Sequence, residues 1–312
     1  MATFQIDKAY ISSIQQLIAE EDTRRLKLKL RNLHYADIAE IISEIEVEEA
    51  TYLVKLLDSE TTAEALAEVD VDIREGIFEN LSAREIAEEV AELDTDDAAD
   101  IILELPEERK EKVMAQIEDD EHAQDIRDLL RYDENSAGGL MAKELVKVQE
   151  DLSVLNCLNE MRAQAENVTR VHSIYVVDKD NKLKGRLSLK DLITANSKAK
   201  VKDIYIPKVD AVTVDQDSEE VAKIMSKYNL EAIPVVNSKN QLLGRITIDD
   251  IVDVIKEEAD KDYQMAAGIS TDVEADDSII ELVKARLPWL FLGLMGGLGS
   301  VFILQDFESV ME

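Results

Sequence analysis

The stretch Ile174-Tyr-Val-Val-Asp-Lys-Asp-Asn-Lys-Leu-Lys-Gly-Arg-Leu-Ser-Leu-Lys-Asp-Leu-Ile193 returns 59 residues later as Ile233-Pro-Val-Val-Asn-Ser-Lys-Asn-Gln-Leu-Leu-Gly-Arg-Ile-Thr-Ile-Asp-Asp-Ile-Val252. Eight of the twenty positions are identical, among them Gly185/Gly244, Arg186/Arg245 and Asp191/Asp250. Each copy runs from a β-branched stretch through a polar turn and a glycine into an alternating apolar stretch. A hydroxyl residue then stands three positions before an Asp where an apolar helix begins. Strand, turn, strand and helix, written twice, is a duplicated module. The lead-ins Val146-Lys-Val148 and Val212-Thr-Val214 are offset by 66, which places about seven extra residues in the first copy, near Ala163 to Val171.

The pattern resembles the CBS-domain pair, two βαββα units around a pseudo-twofold axis. Its signature, Gly-x-x-Ser/Thr-x-x-Asp, stands here as Gly185, Ser188, Asp191 and as Gly244, Thr247, Asp250. Ser or Thr three residues before Asp is also a helix-capping arrangement, and that role alone accounts for the pair. In CBS pairs that bind adenine nucleotides, the resemblance implies that the same groups reach ribose and phosphate.

Lys and Arg total 35 against 68 Asp and Glu, a net charge of −33. Such a field repels nucleic acid and anionic surfaces and concentrates cations, although an acidic surface can simply be solvated. The one cysteine, Cys157, excludes an internal disulfide and sits in an apolar helical pattern with Val154, Leu155, Leu158 and Met161. His34, His122 and His172 lack metal-ligand spacing, which argues against zinc. The N-terminus carries no basic head with an apolar run, so no cleavable signal is expected.

Residues 1–132 read as an acidic all-α superhelical domain. Before Gly138 only Gly76 and Pro106 interrupt it, and short apolar blocks such as Ile38, Ile41, Ile42 and Ile86, Val90, Leu93 alternate with cap-like Ser59, Asp70, Ser82 and Thr95. Residues 133–200 and 201–254 read as the two CBS units, opened by the turn Ser136-Ala-Gly-Gly-Leu-Met141. A connecting region over 249–286 holds an acidic helix from Asp249 to about Ala267, a break at Gly268 and a short amphipathic helix from Asp277 to Arg286. Leu287 to Leu304 is 18 residues without a charge, the lower end of a bilayer span, and the membrane helix is expected over 287–306. A buried core helix is the alternative. Trp289 at the edge, Lys284 and Arg286 before it, and Asp306 and Glu308 after it favour the membrane, with the preceding residues on the cytoplasmic side. Gly293 and Gly297, with Gly296 and Ser300, offer a small-residue face for a partner helix.

This order of parts resembles the MgtE family of magnesium channels and transporters over essentially the whole chain. Tyr132-Asp-Glu-Asn-Ser-Ala-Gly-Gly-Leu-Met141 is similar to the family's entry into its CBS pair, and Ile248-Asp-Asp-Ile-Val-Asp-Val-Ile255 to the start of its connecting, or plug, helix. The segment from Ser300 to Glu312 is similar to the end of its first membrane helix. The resemblance implies a homodimer with further membrane helices downstream of this chain, so a fragment of a longer protein is expected. It implies several regulatory magnesium ions per subunit, with ATP a possible second ligand. It points to Asp250 first, then to Asp253, Glu258 and Asp262 on the connecting helix and Glu219 at the start of the second CBS helix. Gly138 and Ser226 would lend backbone carbonyls, and Asn229 stands where the family pattern has Asp. Lys261 also replaces an expected acid, so fewer or weaker ions are implied. In the helical domain Asp96 and Asp100, one helix face at i and i+4, are the expected partners of Asp250, with Asp97 nearby.

Magnesium is a hard cation that takes one or two carboxylates and keeps several waters. Two like charges about 5 Å apart repel by roughly 3 kcal/mol at an effective dielectric near 20, a cost that a bound ion removes. High magnesium would therefore favour a closed arrangement and its loss an open one. The competing reading is a membrane-anchored adenine-nucleotide sensor using Ser188, Lys190, Asp191 and Thr247. An enzyme finds no support: no phosphate loop, activated nucleophile or redox motif is present.

Overall fold

Helix signals and caps decide the first 130 residues. A computed structural model of the chain describes residues 6–165, 168, 170–266 and 279–311. Ten helices, α1 (Lys8–Ala19), α2 (Thr23–Leu30), α3 (Tyr35–Ser43), α4 (Val47–Leu56), α5 (Ser59–Ala67), α6 (Val71–Glu79), α7 (Ala83–Val90), α8 (Thr95–Glu104), α9 (Glu107–Met114) and α10 (Asp120–Leu129), follow with short turns. Ser82 caps α7 through a hydrogen bond from the Glu85 N–H, and Glu85 returns one from the Ser82 N–H, closing a capping box. Helices two apart pack on one another, α3 on α5, α5 on α7 and α7 on α9, with α4 on α6 and α8 on α10. That stepping is the expected superhelix. Arg74 ties it together, donating to the Leu66, Ala67 and Val69 carbonyls and pairing with Glu104.

The chain divides into two compact units, Met1–Asp217 with Glu231–Ile246, and Ser218–Leu230 with Thr247–Glu312. The first holds the ten helices and two three-stranded sheets. One sheet has the order β1 (Val146–Gln149), β2 (Ile174–Val177), β3 (Leu183–Leu187), with β1 parallel and β3 antiparallel to β2. The other has β4 (Val212–Thr213), β5 (Ala232–Val236) and β6 (Leu242–Thr247), with β4 parallel to β5. Helices α11 (Val154–Gln164) and α12 (Leu189–Thr194) accompany the first sheet, with Cys157 buried in the core they share.

A twofold exchange relates the copies. Ala142 and Arg245 exchange backbone hydrogen bonds at 2.8 and 2.9 Å, and Ile206 and Arg186 do so at 2.8 and 3.0 Å. The bridges Ser136 to Asp217 and Ser153 to Lys200 are likewise mirror images. Each copy's lead-in therefore joins the other copy's hairpin. Ala142 corresponds to Ile206 and Ser153 to Asp217, so the lead-ins are shifted by 64 and not by the 66 read from the Val-x-Val pattern. Helix α11 and its counterpart have equal length, which puts the first copy's extra residues, about five, after α11. Tyr175, Val177 and Leu183 meet Val236 and Leu242 in a core between the sheets.

This exchange explains the repeated glycines. A Cβ on Gly185 would overlap the Ile206 carbonyl oxygen, and one on Gly244 would lie 2.5 Å from that of Ala142. Only glycine lets the exchanged strand pass.

The second unit contains α13 (Ser218–Tyr228), α14 (Ile248–Ala266) and α15 (Ile279–Met311), and α13 packs on α14. Gly268 and Asp277, the expected break and restart, lie outside the described residues. The separate amphipathic helix expected up to Arg286 is instead the first part of α15, which continues without interruption through Pro288. Val283–Gln305, 23 residues with mean hydropathy 1.9, is long and apolar enough to cross a membrane and, Ala285 apart, is not buried within the protein. The glycines Gly293, Gly296, Gly297 and Gly299 meet no neighbour. The Ser300 hydroxyl is back-bonded to the Gly296 carbonyl.

Candidate functional site

Sequence placed acids on α8, α13 and α14, and the structure gives each a local setting. On α8, Asp96 and Asp97 occupy the first turn, where the helix dipole favours carboxylates, and Asp100 is exposed one turn on. Asp96 Oδ1 accepts from the Asp97 N–H at 3.1 Å. The α8 N-terminus also makes the junction between the helical domain and the sheets. Fully buried Thr95 donates N–H and Oγ1 to Glu144 Oε2 at 3.2 and 2.8 Å and accepts from the Lys143 N–H at 2.9 Å. Asp94 pairs with Arg245 at 3.4 Å, and His122 stands 3.9 Å from Glu144. Burial, then the charge of Asp94, holds the Glu144 carboxyl above the usual range. Arg245 is only 5% exposed, and its Nε and the Tyr175 hydroxyl find no partner among the described residues. Gly138 is buried, donates its N–H to the Val214 carbonyl at 2.9 Å, and has no room for a side chain beside Tyr132.

In the second unit two expected residues come together. Glu219 on α13 lies within hydrogen-bonding reach of Glu258 on α14. Lys223 bonds Glu219 at 2.7 Å and Lys261 bonds Glu258 at 3.0 Å. The Lys223 bond, then the contact with Glu258, keeps the Glu219 carboxyl below its usual range. Lys261, which stands in place of an expected acid, thus supplies positive charge beside two carboxylates. Two carboxylates are the number of hard oxygen donors that magnesium asks of a protein, and an ion there would have to displace the Lys223 and Lys261 ammonium groups that now neutralise them.

The other predicted positions are not gathered in this way. Asp250 Oδ2 accepts from the Thr247 N–H at 2.9 Å and the Thr247 hydroxyl at 2.8 Å. Asp191 repeats the arrangement in the first copy, meeting the Ser188 hydroxyl at 2.6 Å while its N–H donates to Ser188 Oγ at 3.0 Å. In the first copy hydroxyl and carboxylate serve one another as caps, and in the second the Asp250 carboxylate takes both donors of Thr247. Lys190 is exposed. Asp253 pairs with Lys256 at 2.7 Å, and Asp262 is exposed. Asn229 follows the α13 C-terminus at φ 52, its N–H directed to the Ser226 carbonyl at 3.4 Å, with Leu230 closing on Met225 at 3.0 Å. A left-handed C-terminal cap is a structural reason for Asn at this position. Among the described residues no group of three or more His, Cys, Asp or Glu converges on one point.

Sequence reasoning missed the Asp94–Arg245 and Thr95–Glu144 contacts. Thr95 reads as a cap, but Asp94 holds that position, and nothing local links Thr95 to a residue 49 positions away.

Comparison with known proteins agrees with this architecture. A family described as the MgtE intracellular N domain matches residues 33–135, and the CBS domain matches 137–198 and 201–257. The magnesium transporter MgtE of Thermus thermophilus is 39% identical over 190 residues, covering 60% of this chain and 42% of that protein. The chain thus spans about two-fifths of the length of the curated relatives it matches. A crystal structure of the cytosolic domain of the Mg2+ channel MgtE in complex with ATP aligns with TM-score 0.73 and 34% identity, over 78% of this chain and 99% of that one. The soluble part of a magnesium transporter aligns with TM-score 0.71 and 27% identity, over 80% and 98%. With helical domain, CBS pair and their order all matched by one set of relatives, the chain belongs to the MgtE family.

Proposed function

We propose that this chain is the cytosolic magnesium-sensing and gating region of a magnesium channel or transporter, working as a homodimer and joined to its pore through the α15 span. The observation that carries the reading is the Glu219–Glu258 carboxylate pair across α13 and α14, balanced by Lys223 and Lys261. Magnesium supplies the divalent charge that lets such carboxylates approach. Glu219 and Glu258 would hold one ion with its remaining waters, and Asp253, Asp262 and Asp250 offer further single carboxylates along the same connecting helix. Asp96 and Asp100 are the acids assigned to the helical domain, and Gly138, Ser226 and Asn229 the neutral oxygen donors. Ion binding between the acidic faces of the helical domain, second CBS unit and connecting helix favours the closed state, and ion loss frees the connecting helix. The functional division is 1–132, 133–200, 201–254, 249–286 and 287–306. The MgtE relatives are magnesium transporters, and no chemical step is assigned to the chain.

A second ligand, ATP, is favoured by the relative solved in complex with it. Ser188, Asp191, Thr247 and Lys190 are its candidate contacts, with the first three released from their capping bonds on binding. Calorimetric titration of the whole chain in detergent micelles with magnesium chloride, at fixed ionic strength, tests the main reading. Glu219→Gln with Glu258→Gln should remove part of the magnesium heat. Unchanged binding in the double variant would remove the pair from the site.

A further inference from the structure

The helical domain holds a carboxyl group that the magnesium reading does not use. Glu89 on α7 is 9% exposed, and its Oε2 lies 2.6 Å from Oγ1 of Thr62 on α5, itself fully buried. A hydroxyl has one proton, and that of Thr62 also faces the Asp58 carbonyl oxygen at 3.0 Å, one turn back. Given to Asp58, that proton leaves the short contact a hydrogen bond only if Glu89 brings a proton of its own. Given to Glu89, it leaves a buried carboxylate with a single donor.

The charges around it weigh against the second case. Those acting on Glu89 are Glu88 from its own helix, Glu92 just past that helix's C-terminus and Asp58 from the α5 cap, all acidic. The basic groups of neighbouring helices are engaged elsewhere. Lys55 of α4 pairs with Glu85 at 3.2 Å, Lys27 of α2 acts on Asp58, Arg109 of α9 donates to the Phe78 and Leu81 carbonyls, and Lys110 and Lys112 pair with Glu107 at 3.8 Å and Glu108 at 2.8 Å; His122 of α10 meets the Val90 carbonyl at 3.4 Å and stands 3.9 Å from Glu144. A buried anion with one donor and three like charges nearby is costlier than the neutral acid.

We infer that Glu89 is a proton-binding site that makes the packing of α5 on α7 sensitive to pH around neutrality. This stands independently of the magnesium reading. Burial, reinforced by Glu88, Glu92 and Asp58 and opposed by the Thr62 bond, pushes the Glu89 carboxyl up to about 7. A carboxyl raised in the folded state gives stability that is full below its unfolded value near 4.5 and is lost as pH rises through about 7. Acid tightens the helical stack and mild alkali loosens it.

Infrared difference spectroscopy of the whole chain in detergent micelles, between about pH 6 and about pH 8, reads the proton directly. The carboxylic-acid C=O band should be lost on the alkaline side and its Glu89 share absent in Glu89→Gln. The same samples should show a thermal midpoint falling by roughly 4 °C in the unmodified chain and nearly flat in Glu89→Gln. The amide of Gln keeps a donor toward Thr62, so this variant should fold at both pH values. Glu89→Leu, without a titrating group, should be equally flat. An unchanged acid band in Glu89→Gln, an equal pH slope in both variants and the parent, or a Glu89→Gln chain that fails to fold would each overturn the inference.

Discussion

Asn181 and Asn240 reach across the pseudo-twofold axis into each other's hairpin. The Asn181 side-chain amide donates to the Leu242 carbonyl at 2.8 Å, and that of Asn240 donates to the Leu183 carbonyl at 3.0 Å. Both residues adopt left-handed backbone, φ 61 and φ 59, which Asn tolerates better than most. Their backbone carbonyls accept the Leu242 and Leu183 N–H groups at 2.9 Å, so each turn gives and receives across the axis. The two copies are held by paired polar bonds as well as by their shared apolar core.

Replacing either Asn separates conformation from bonding. Asn181→Gly keeps the left-handed turn and loses one bond, for an expected cost of about 1 kcal/mol. Asn181→Ala adds backbone strain and should cost about 2 kcal/mol. Denaturant unfolding of the two variants should preserve that order, and Asn240 should follow it.

Gly185→Ala and Gly244→Ala place a methyl group against the exchanged strand's carbonyl. Each should lower stability by about 2 kcal/mol or more, because backbone and not a flexible side chain must move. A neutral alanine at either site in a thermal melt would contradict the exchange.

Asp191 offers an internal control for Asp250, since both accept from the hydroxyl residue three positions earlier. Asp191→Asn and Asp250→Asn should each cost about 1 kcal/mol as lost caps. Only Asp250→Asn should also weaken the magnesium response. Equal magnesium behaviour in both variants would assign Asp250 to capping alone.

The junction of the helical domain with the sheets should depend on Arg245. Arg245→Ala removes the partner of Asp94, and Thr95→Val removes a donor to buried Glu144. Each is expected to cost about 2 kcal/mol and to raise cleavage around residues 131–143 in limited proteolysis. Cleavage unchanged in both would show that the junction rests on other contacts.

Much of this was legible because it repeats or is local. The 59-residue echo carried the hairpins, and of the cap-like residues Asp70 and Ser82 stand at helix N-caps while Asp58 and Asp94, one position before Ser59 and Thr95, hold that place for α5 and α8. The lead-in alignment slipped by two residues for a physical reason. A two-residue shift keeps every strand side chain on its own face, so the Val-x-Val pattern cannot tell one register from the next. The five-residue surplus was therefore read as seven. The reach of α15 through Pro288 was hidden because proline normally marks a helix start or break. Glu219 and Glu258 were each legible as acids, but their meeting depends on how α13 packs on α14. Lys261 read as a lost ligand and stands as a counter-charge.

Limited proteolysis of the whole chain in detergent micelles, across a magnesium chloride series, tests the central claim most directly. Potassium chloride at equal ionic strength and ATP without magnesium serve as controls. The account predicts protection at millimolar magnesium that salt does not reproduce and that Asp96→Ala with Asp250→Ala blunts. Cleavage indifferent to magnesium, or protection by ATP alone, would contradict it.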